Sequence, residues 1–440
     1  MATTLMGIRD VFSVKDSKDL IVVGRVQGII KEGAAVYLTN CGEDDATQFL
    51  TVVKTIEKGP SQPVTEAGDC MVALRLENGS VFKIKKGTVL FSRDATMGEV
   101  LQVYTSTLGD VFVAKQNLEI SEQDFALCSI ADCAEIWRLF VWFRKKVTTE
   151  TDEEQKKVDR ERLNKLCAQL CKKIMEAEEI YCVFSKVTGE PHMVSKTVNR
   201  GDGTFMCTPP QITIGTKRYA EVLGKQLSPE KYEMRKIEAG EDKKGIYNFL
   251  GSTFYLNGAC EVAVQSDQTV IDARMLVAPP DYSQVPPQNV PVTNPGLMRW
   301  MLLIGQMGKP ETEDAQTIYK LYYKFMSMEL VKARLLVPMQ KEGEMEEPDA
   351  EGKTVLKKDM KIKFPTMGGK GDKPAVRMYT DWKRLRMVYG EEWGGMVQPV
   401  SGMIDVFDCA INPTQFPAAG CYISKEMFEE MQKNATGEST

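Results

Sequence analysis

Basic and aromatic side chains alternate between Gly352 and Gly390, a combination that could bind an acidic or a nucleic-acid partner. The stretch holds 11 Lys and Arg residues against three Asp residues, with Tyr379, Trp382 and Tyr389 among them. Positive charge neutralises phosphates and aromatic rings stack on bases, so single-stranded RNA is one partner that fits. An acidic protein surface also fits, because the same charges would complement carboxylates. The candidate partner-binding residues are Arg377, Tyr379, Trp382, Lys383, Arg384, Arg386 and Asn412.

Simpler interpretations of these residues stay open. Immediately upstream, residues 342–351 (EGEMEEPDAE) are strongly acidic and could neutralise part of the positive charge. The stretch would then be a solvated charged hairpin with Trp382 in the core. Asn412 precedes Pro413 at the end of a predicted strand. Because proline removes a hydrogen-bond donor, this dipeptide indicates either a turn that ends the strand or a ligand contact.

Residues typical of catalysis or metal binding form no recognisable set in this sequence. His192 is the single histidine among 440 residues, which argues against the common His-dependent metal and triad sites. The 11 cysteines include no CxxC motif. Cys167 and Cys171 share a predicted helix face with leucine and isoleucine residues, so buried core positions are favoured. We therefore assign no catalytic residue, no metal ligand and no cofactor, and expect a non-enzymatic protein.

Composition and charge limit the remaining classes of protein. The formal net charge of −5, with 43% hydrophobic and 27% charged residues, is that of an ordinary globular protein, so we expect no DNA binding. The N-terminus carries charges where a signal peptide needs an apolar run, and no apolar run approaches the ~20 residues of a membrane span. Scattered cysteines with apolar neighbours are typical of reduced thiols. We expect a cytoplasmic protein without a membrane segment.

Residues 1–93 predict a small all-β domain at the N-terminus. Short runs rich in β-branched residues are separated by turns, and Gly33, Gly68 and Gly87 stand where a turn needs a positive φ or no side chain. Six or more short strands between residues 8 and 91 favour a closed barrel, because closure hides the edges of an open sheet.

The order of motifs in this barrel resembles domain 2 of translation GTPases of the elongation factor Tu type. The matching segments are DVFSV, VGRVQGIIKEG, VVKTIE, TEAGDCMVALRL and IKKGTVLF. That family carries its GTPase domain first, with a phosphate-binding loop GxxxxGK[ST], whereas this chain begins at the barrel. Residues 368–371 (GGKG) lack the spacing and the Ser/Thr of such a loop. The resemblance therefore implies a barrel without its GTPase domain, and it does not imply GTP hydrolysis.

The remainder of the chain predicts a helical connector followed by two α+β modules. Residues 94–150 have the broad apolar faces of helices. The order helix, strand, short helix, strand and buried strand occurs in residues 151–278 and again in 311–440, with a proline-rich linker and short helix at 279–310. The two short helices are TKRYAEVLG from Thr216 and TDWKRLRMVYG from Thr380, each predicted to begin at a threonine cap and end at a glycine. This repetition suggests a duplicated module.

The second module resembles the N-terminal domain of the SseB family, named for enhanced serine sensitivity. The resemblance covers residues 318–428 and includes RLLVPM, Phe364-Pro365, Tyr379-Thr380 and CAINP. The first module departs from the pattern, since Gln265-Ser266 stands where the second has Asn412-Pro413. The family implies no catalytic residues. Our hypothesis is a protein-binding adaptor of the SseB-like type; the alternatives are a translation- or RNA-associated factor, and an enzyme with an unrecognised site between the two modules.

Overall fold

The computed structural model describes residues 3–114, 121–147, 153–202, 204–342, 361–369 and 373–436. These residues form two compact units, each with its own core. Unit 1 contains residues 1–177, 215–219 and 264–270, and unit 2 contains residues 178–214, 220–263 and 271–440.

Unit 1 begins with a closed antiparallel barrel, which confirms the predicted fold of this region. Six strands pair in the order β4-β9-β1-β2-β8-β5, and β5 returns to pair with β4. The β6 strand extends β5, while β3 and β7 form a separate hairpin. The strands are β1 Leu5–Ser13, β2 Leu20–Gln27, β3 Ile29–Lys31, β4 Ala35–Thr39, β5 Phe49–Glu57, β6 Pro63–Val64, β7 Glu66–Gly68, β8 Met71–Leu76 and β9 Val89–Phe91.

Alternation of side chains explains why this sequence closes into a barrel. Along β2 and β8, buried Val22, Val26, Leu74 and Leu76 alternate with residues that stay more accessible, so one face of every strand meets in a single core. Gly33 and Gly87 have φ values of +80° and +93°, as the turn prediction requires. Gly68 lies within β7, where a Cβ atom would approach the carbonyl oxygen of Gly28 to 3.0 Å.

Helices complete unit 1, as predicted for residues 94–150. They are α1 Met97–Leu108, continued by a π-helical turn Gly109–Val113, then α2 Glu122–Leu127, α3 Ile130–Val147 and α4 Glu153–Met175. Capping boxes start two of them, Thr96 with Glu99 at α1 and Ser121 with Asp124 at α2. The α4 helix, predicted to belong to the first module, is part of unit 1 with the barrel.

A buried ion pair joins these helices to the barrel. Lys85 and Asp132 each have about 2% of their side chains exposed, and Lys85 Nζ lies 2.5 Å from Asp132 Oδ2. The same ammonium group donates to Glu43, and Tyr104 donates its hydroxyl to the other oxygen of Asp132 at 2.7 Å. Lys85 is thus fully paired, which offsets the cost of removing its charge from water.

Unit 2 contains most of a first α+β module, which spans residues 179–276. Its sheet has the order β15-β10-β14-β16-β17, with β11 on β14 and a separate hairpin β12–β13. The last residue of β14 and residues of β16 and β17 fall in the ranges assigned to unit 1. The elements are β10 Glu179–Ser185, β11 Met193–Val194, β12 Thr197–Asn199, β13 Phe205–Cys207, β14 Gln211–Gly215, α5 Lys217–Gly224, β15 Tyr232–Glu238, α6 Gly245–Tyr255, β16 Glu261–Val264, β17 Val270–Asp272 and α7 Ala273–Leu276.

A second module, residues 313–436, follows in unit 2 and has the same strand order. Its central strand β18 pairs with β22 and, through a bridge between Leu336 and Tyr379, adjoins β21, which pairs with β23 and then β24. The elements, with the helix that precedes the module, are α8 Pro295–Met307, α9 Glu313–Lys332, β18 Arg334–Glu342, β19 Lys361–Lys363, β20 Thr366–Met367, β21 Ala375–Met378, α10 Trp382–Arg386, β22 Gly394–Pro399, β23 Asp408–Ile411, β24 Cys421–Ile423 and α11 Lys425–Thr436.

The short helix of the second module differs from its prediction at both ends. The α10 helix is capped by Asp381, whose carboxylate accepts from the backbone N–H of Arg384, so the prediction of Thr380 as the cap is wrong. The Thr380 hydroxyl instead donates to the Asp381 carboxylate, with Asn412 beside it. The helix ends at Arg386, four residues before the predicted stop at Gly390. In the first module α5 spans Lys217–Gly224 and ends at the predicted glycine.

No helix in the described ranges combines the length and the apolar character that a membrane span requires. All 11 cysteines lie within those ranges, and they are free thiols.

A buried carboxylate in the barrel predicts acid sensitivity. Asp19 accepts from the backbone N–H of Asn78 at 3.1 Å and from Arg75 Nε at 2.8 Å, and these bonds lower its pKa to about 2. Since the folded pKa lies below the unfolded value of about 3.9, the stabilisation is present above about pH 4 and is lost as the pH falls towards 2. We expect Asp19→Asn to destabilise the barrel at pH 7 and to have little effect near pH 2. Hydrogen exchange of the barrel amides at pH 7 and pH 2 measures the loss of stability. The control is Asp45→Asn, the same substitution at an exposed aspartate. An equal loss of stability at both pH values would contradict the prediction.

Candidate functional site

Arg384, a predicted partner-binding residue, lies in the interior of unit 2. Only 2% of its side chain is exposed, and its guanidinium bonds Asp381 Oδ2 at 2.5 Å, Glu190 Oε1 at 2.9 Å and Asn257 Oδ1 at 2.6 Å. Asp381 is positioned by the first turn of α10, where it also caps the helix. A guanidinium carries its donors in a rigid planar fork, so three fixed acceptors hold it in one orientation.

The Glu190 carboxylate accepts hydrogen bonds from three other side chains around Arg384, including Arg384 itself. Its carboxylate accepts from Arg384, from Lys383 Nζ at 3.3 Å and from Asn257 Nδ2 at 2.9 Å. Glu190 and Asn257 belong to the first module, whereas Lys383 and Arg384 belong to the second. We call Glu190, Asn257, Asp381, Lys383 and Arg384 the junction network, because it joins the two modules inside unit 2.

Asn412 holds the segment that leads into α10. Its side-chain oxygen accepts from the backbone N–H of Thr380 at 3.0 Å, and its amide nitrogen donates to Met298 Sδ at 3.0 Å. Asn412 is fully buried and has φ +49°, a left-handed conformation that asparagine tolerates better than most residues. Of the two interpretations of Asn412-Pro413, the geometry favours the strand-ending turn.

Arg377, Tyr379 and Tyr389 form a second polar group beside the network. Arg377 Nη1 donates to the Tyr389 hydroxyl at 3.2 Å, and the Tyr379 and Tyr389 rings meet edge to face at 5.9 Å. Tyr379 is fully buried. Within the described residues, the Tyr379 hydroxyl and Arg377 Nε are buried without a hydrogen-bond partner. Burial raises the pKa of Tyr379 above its usual value, so the phenol stays neutral.

Trp382 and Arg386 are the first and last residues of α10. The Arg386 guanidinium lies 5.0 Å from the centre of the Trp382 ring, donates to the carbonyl oxygen of Trp393 at 2.9 Å and pairs with Glu391 at 3.3 Å. Its side chain is 27% exposed. The basic residues that remain accessible here are thus already bonded within the chain. Lys353, Lys357, Lys358 and Lys370 of the predicted basic stretch lie outside the described residues.

The structure divides the seven predicted residues into an interior and an edge group. Tyr379, Arg384 and Asn412 are buried, which corrects the expectation that they are available on a surface. The sequence predicts them as partner-binding residues from their neighbours along the chain, and those neighbours do not show which side chains point into the core. Lys383, Arg377, Trp382 and Arg386 lie nearer the surface, and for them partner binding stays a prediction.

Three members of the junction network were missed by sequence reasoning. Asp381 could have been found, since an aspartate directly before the first residue of a short basic helix is a good helix cap. Glu190 and Asn257 are separated from Arg384 by 194 and 127 positions, and no local pattern connects residues so far apart. What the network does chemically is to neutralise buried charge, because each carboxylate oxygen and amide bonds another member.

Two further features bear on chemistry at this site. The described residues contain no cluster of His, Cys, Asp and Glu that could hold a metal ion. His192 is partly buried beside Tyr232, with ring centres 4.7 Å apart, and burial lowers its pKa, so its ring stays neutral at pH 7.

Comparisons with known proteins identify no family for this chain. No family model and no curated protein matches it. Among solved structures, translation elongation factor SelB from Methanococcus maripaludis in its apo form is similar with a TM-score of 0.19 and 22% identity, over 21% of this chain and 20% of that chain. GDP-bound aIF5B from Aeropyrum pernix has a TM-score of 0.19 and 8% identity, over 46% and 48% of the two chains. These neighbours are translation factors, but likeness at this level carries no argument about what the chain does.

The junction network predicts a large difference between two neighbouring arginines. Arg384→Ala leaves Glu190 and Asp381 buried without their cation, so we expect a loss of about 3–5 kcal/mol in the free energy of unfolding. The matched control is Arg386→Ala, which removes a half-exposed ion pair and should cost about 1 kcal/mol. Urea unfolding followed by tryptophan fluorescence measures both. Equal losses for the two variants would contradict a structural role for the network.

Proposed function

We propose that this chain is a non-enzymatic cytoplasmic adaptor that binds a partner protein through the β12–β13 hairpin of unit 2. The observation that carries the proposal is the exposure of apolar side chains there: Val198, Phe205 and Met206 are 48%, 38% and 44% accessible. Val198 and Met206 stand directly opposite each other, so they share one face of the hairpin. Exposed apolar clusters of this kind mark protein contact sites.

The edges of the hairpin support the same conclusion. Among the described residues, β12 and β13 pair only with each other, so their outer N–H and C=O groups are available to another chain. A lone two-stranded hairpin is marginally stable in water. This one is braced at its base, where Ser195 Oγ donates to Thr208 O at 2.7 Å and Tyr322 donates to Ser195 O at 3.2 Å. A braced apolar hairpin is suited to adding strands from a partner.

The adaptor proposal includes a duplicated scaffold of the SseB-like type. Two observations support it. The two modules have the same strand order, and in each a Gln or Asn with a positive φ hydrogen-bonds the threonine that precedes the short helix. In the first module Gln265 has φ +58° and donates to Thr216 Oγ1 at 3.2 Å. Asn412 makes the equivalent bonds with Thr380 in the second module. The two pairs occupy the positions that the sequence repeat aligns.

RNA binding is a less well supported alternative. It relies on the barrel and on the basic stretch, yet Arg384 is buried in ion pairs and Arg386 is bonded to backbone carbonyls and Glu391. Phosphate contacts weaken steeply with salt, so low salt is the sensitive condition. If the full chain does not bind a labelled single-stranded oligouridine at low salt, the alternative is wrong.

An enzyme between the modules is the third hypothesis. The junction there is occupied by the mutually bonded side chains of the junction network. Groups held in this way are already neutralised by one another, which favours a structural role over proton transfer.

The hairpin proposal predicts a selective loss of partner binding. We expect the paired change Val198→Thr with Met206→Thr to remove the apolar face but keep strand-forming residues, and to weaken a captured partner about tenfold or more. The matched control is Val81→Thr with Met97→Thr, at exposed apolar positions of unit 1. Affinity purification from the host identifies the partner, and titration of the purified partner gives the affinities. A partner that binds all three proteins equally would overturn the assignment of this surface.

A further inference from the structure

The backbone bonds of the β12–β13 hairpin determine which of its polar groups point outward. The N–H of Arg200 donates to Thr204 O at 3.0 Å, and the N–H of Thr208 donates to Lys196 O at 2.9 Å. Hydrogen-bonded and non-hydrogen-bonded pairs of residues alternate along an antiparallel ladder. The pairs that lie one residue inside these two bonds therefore turn their N–H and C=O groups away from the hairpin.

The outward groups form two edges. On β13 they belong to Phe205 and Cys207, and on β12 they belong to Asn199 and Thr197, which lie directly opposite. Among the described residues no third strand pairs with either edge. Each edge therefore offers N–H and C=O groups in the arrangement that an added strand uses.

The two edges differ in how they are protected. The β12 strand is flanked by Lys196 and Arg200, and charged residues at an edge oppose the addition of another strand. The β13 strand has the sequence FMC between two threonines, with no charge and no proline. Its Phe205 and Met206 side chains are exposed on opposite faces. The β13 edge is therefore the one that accepts a strand.

Arg200 indicates the chemistry of the added strand. Its Nη2 lies 3.4 Å from Met206 Sδ, so the guanidinium extends from β12 over β13 on the face that carries Val198 and Met206. Arg200 is exposed, and in the described part of the chain no carboxylate pairs with it. Neighbouring strands lie ~4.8 Å apart, so an acidic side chain on this face of an added strand comes within reach of the guanidinium.

A second copy of this chain fits the β13 edge poorly. Two copies joined edge to edge, about a two-fold axis perpendicular to the sheet, would bring both Arg200 guanidiniums to one face of the seam. Like charges that face each other across strands are destabilising. An acidic residue in a different protein replaces this repulsion with attraction.

We propose that the β13 edge binds an extended, mainly apolar segment of the partner protein by strand addition, and that Arg200 pairs with an Asp or Glu of that segment. This inference rests on the proposed adaptor function, and it names the edge that binds and the chemistry of the partner.

The first test removes one outward N–H group from each edge in turn. The probe is a labelled peptide, acetyl-Thr-Val-Glu-Val-Thr-Val-amide, titrated with the full chain by fluorescence polarisation. Cys207→Pro removes an outward N–H of β13 but keeps the bonds within the hairpin, and we expect it to weaken binding about tenfold. The matched control is Thr197→Pro at the opposite residue, which loses the same 3.5 Å contact between Thr197 Oγ1 and Cys207 Sγ. It should bind the peptide as the wild type does.

The second test concerns the charge and leaves the backbone unchanged. We expect Arg200→Gln to weaken binding of the peptide about threefold at low salt, because an exposed ion pair contributes little energy. The effect should fade at high salt and be absent for the same peptide with Gln in place of Glu. The matched control is Arg93→Gln, at an exposed arginine of unit 1, which should not change the affinity.

Three results would overturn the inference. One is the absence of peptide binding to the wild type, and another is an equal loss of binding with Cys207→Pro and Thr197→Pro. The third is a dimer of the full chain, detected by sedimentation, that Cys207→Pro dissociates, because the edge would then belong to a second copy. The adaptor proposal is judged separately. A captured partner that is lost with Val198→Thr and Met206→Thr supports it even where the peptide does not bind.

Discussion

The ion pairing of Arg384 is the constraint on which the arrangement of unit 2 depends. A guanidinium with 2% exposure is retained only when carboxylates compensate it, and those come from its own helix and from Glu190 in the other module. A well-packed apolar cluster of the same volume could be equally stable, so the presence of the network is not in itself evidence of extra stability. The bonds of Arg384 to Asp381, Glu190 and Asn257 hold α10 against the turn at Glu190. The junction is therefore fixed in register and is suited to a scaffold.

Unit 1 uses the same device between its barrel and its helices. Asp132 accepts from the backbone N–H of Ser129 at 2.7 Å and from Lys85 at 2.5 Å. Asp381 likewise accepts from the N–H of Arg384 and from its guanidinium. In both cases one carboxylate starts a helix and neutralises a buried cation. In unit 1 the second bond reaches Lys85, 47 positions away in the chain, whereas in unit 2 Asp381 and Arg384 are only three residues apart.

Local patterns predicted the elements but not their contacts. The barrel strands could be predicted from the alternation of apolar and polar residues and from the turns at Gly33 and Gly87, because both patterns are local in the sequence. The sequence predicts Arg384 as a partner-binding residue, because a basic run in sequence does not show which side chains point inward. Its partner Glu190 lies 194 positions away, and the pairing exists only after both modules have folded. Ion pairs between residues far apart in the chain, such as Arg384 with Glu190, could therefore not be predicted from the sequence.

The two modules differ in how their short helices are capped, and this difference has a physical cause. In the second module Asp381 follows Thr380 and caps α10 itself. In the first, Lys217 follows Thr216, so the helix has no acid of its own at this position. The exposed N–H groups of Lys217 and Arg218 donate instead to Asp44, which lies between β4 and β5 of the barrel, at 3.2 and 3.0 Å. An N-terminal helix end attracts an anion wherever one is supplied. The second module has Asp381 at the start of its short helix, whereas the first has Lys217, and Asp44 from the turn between β4 and β5 completes that helix end.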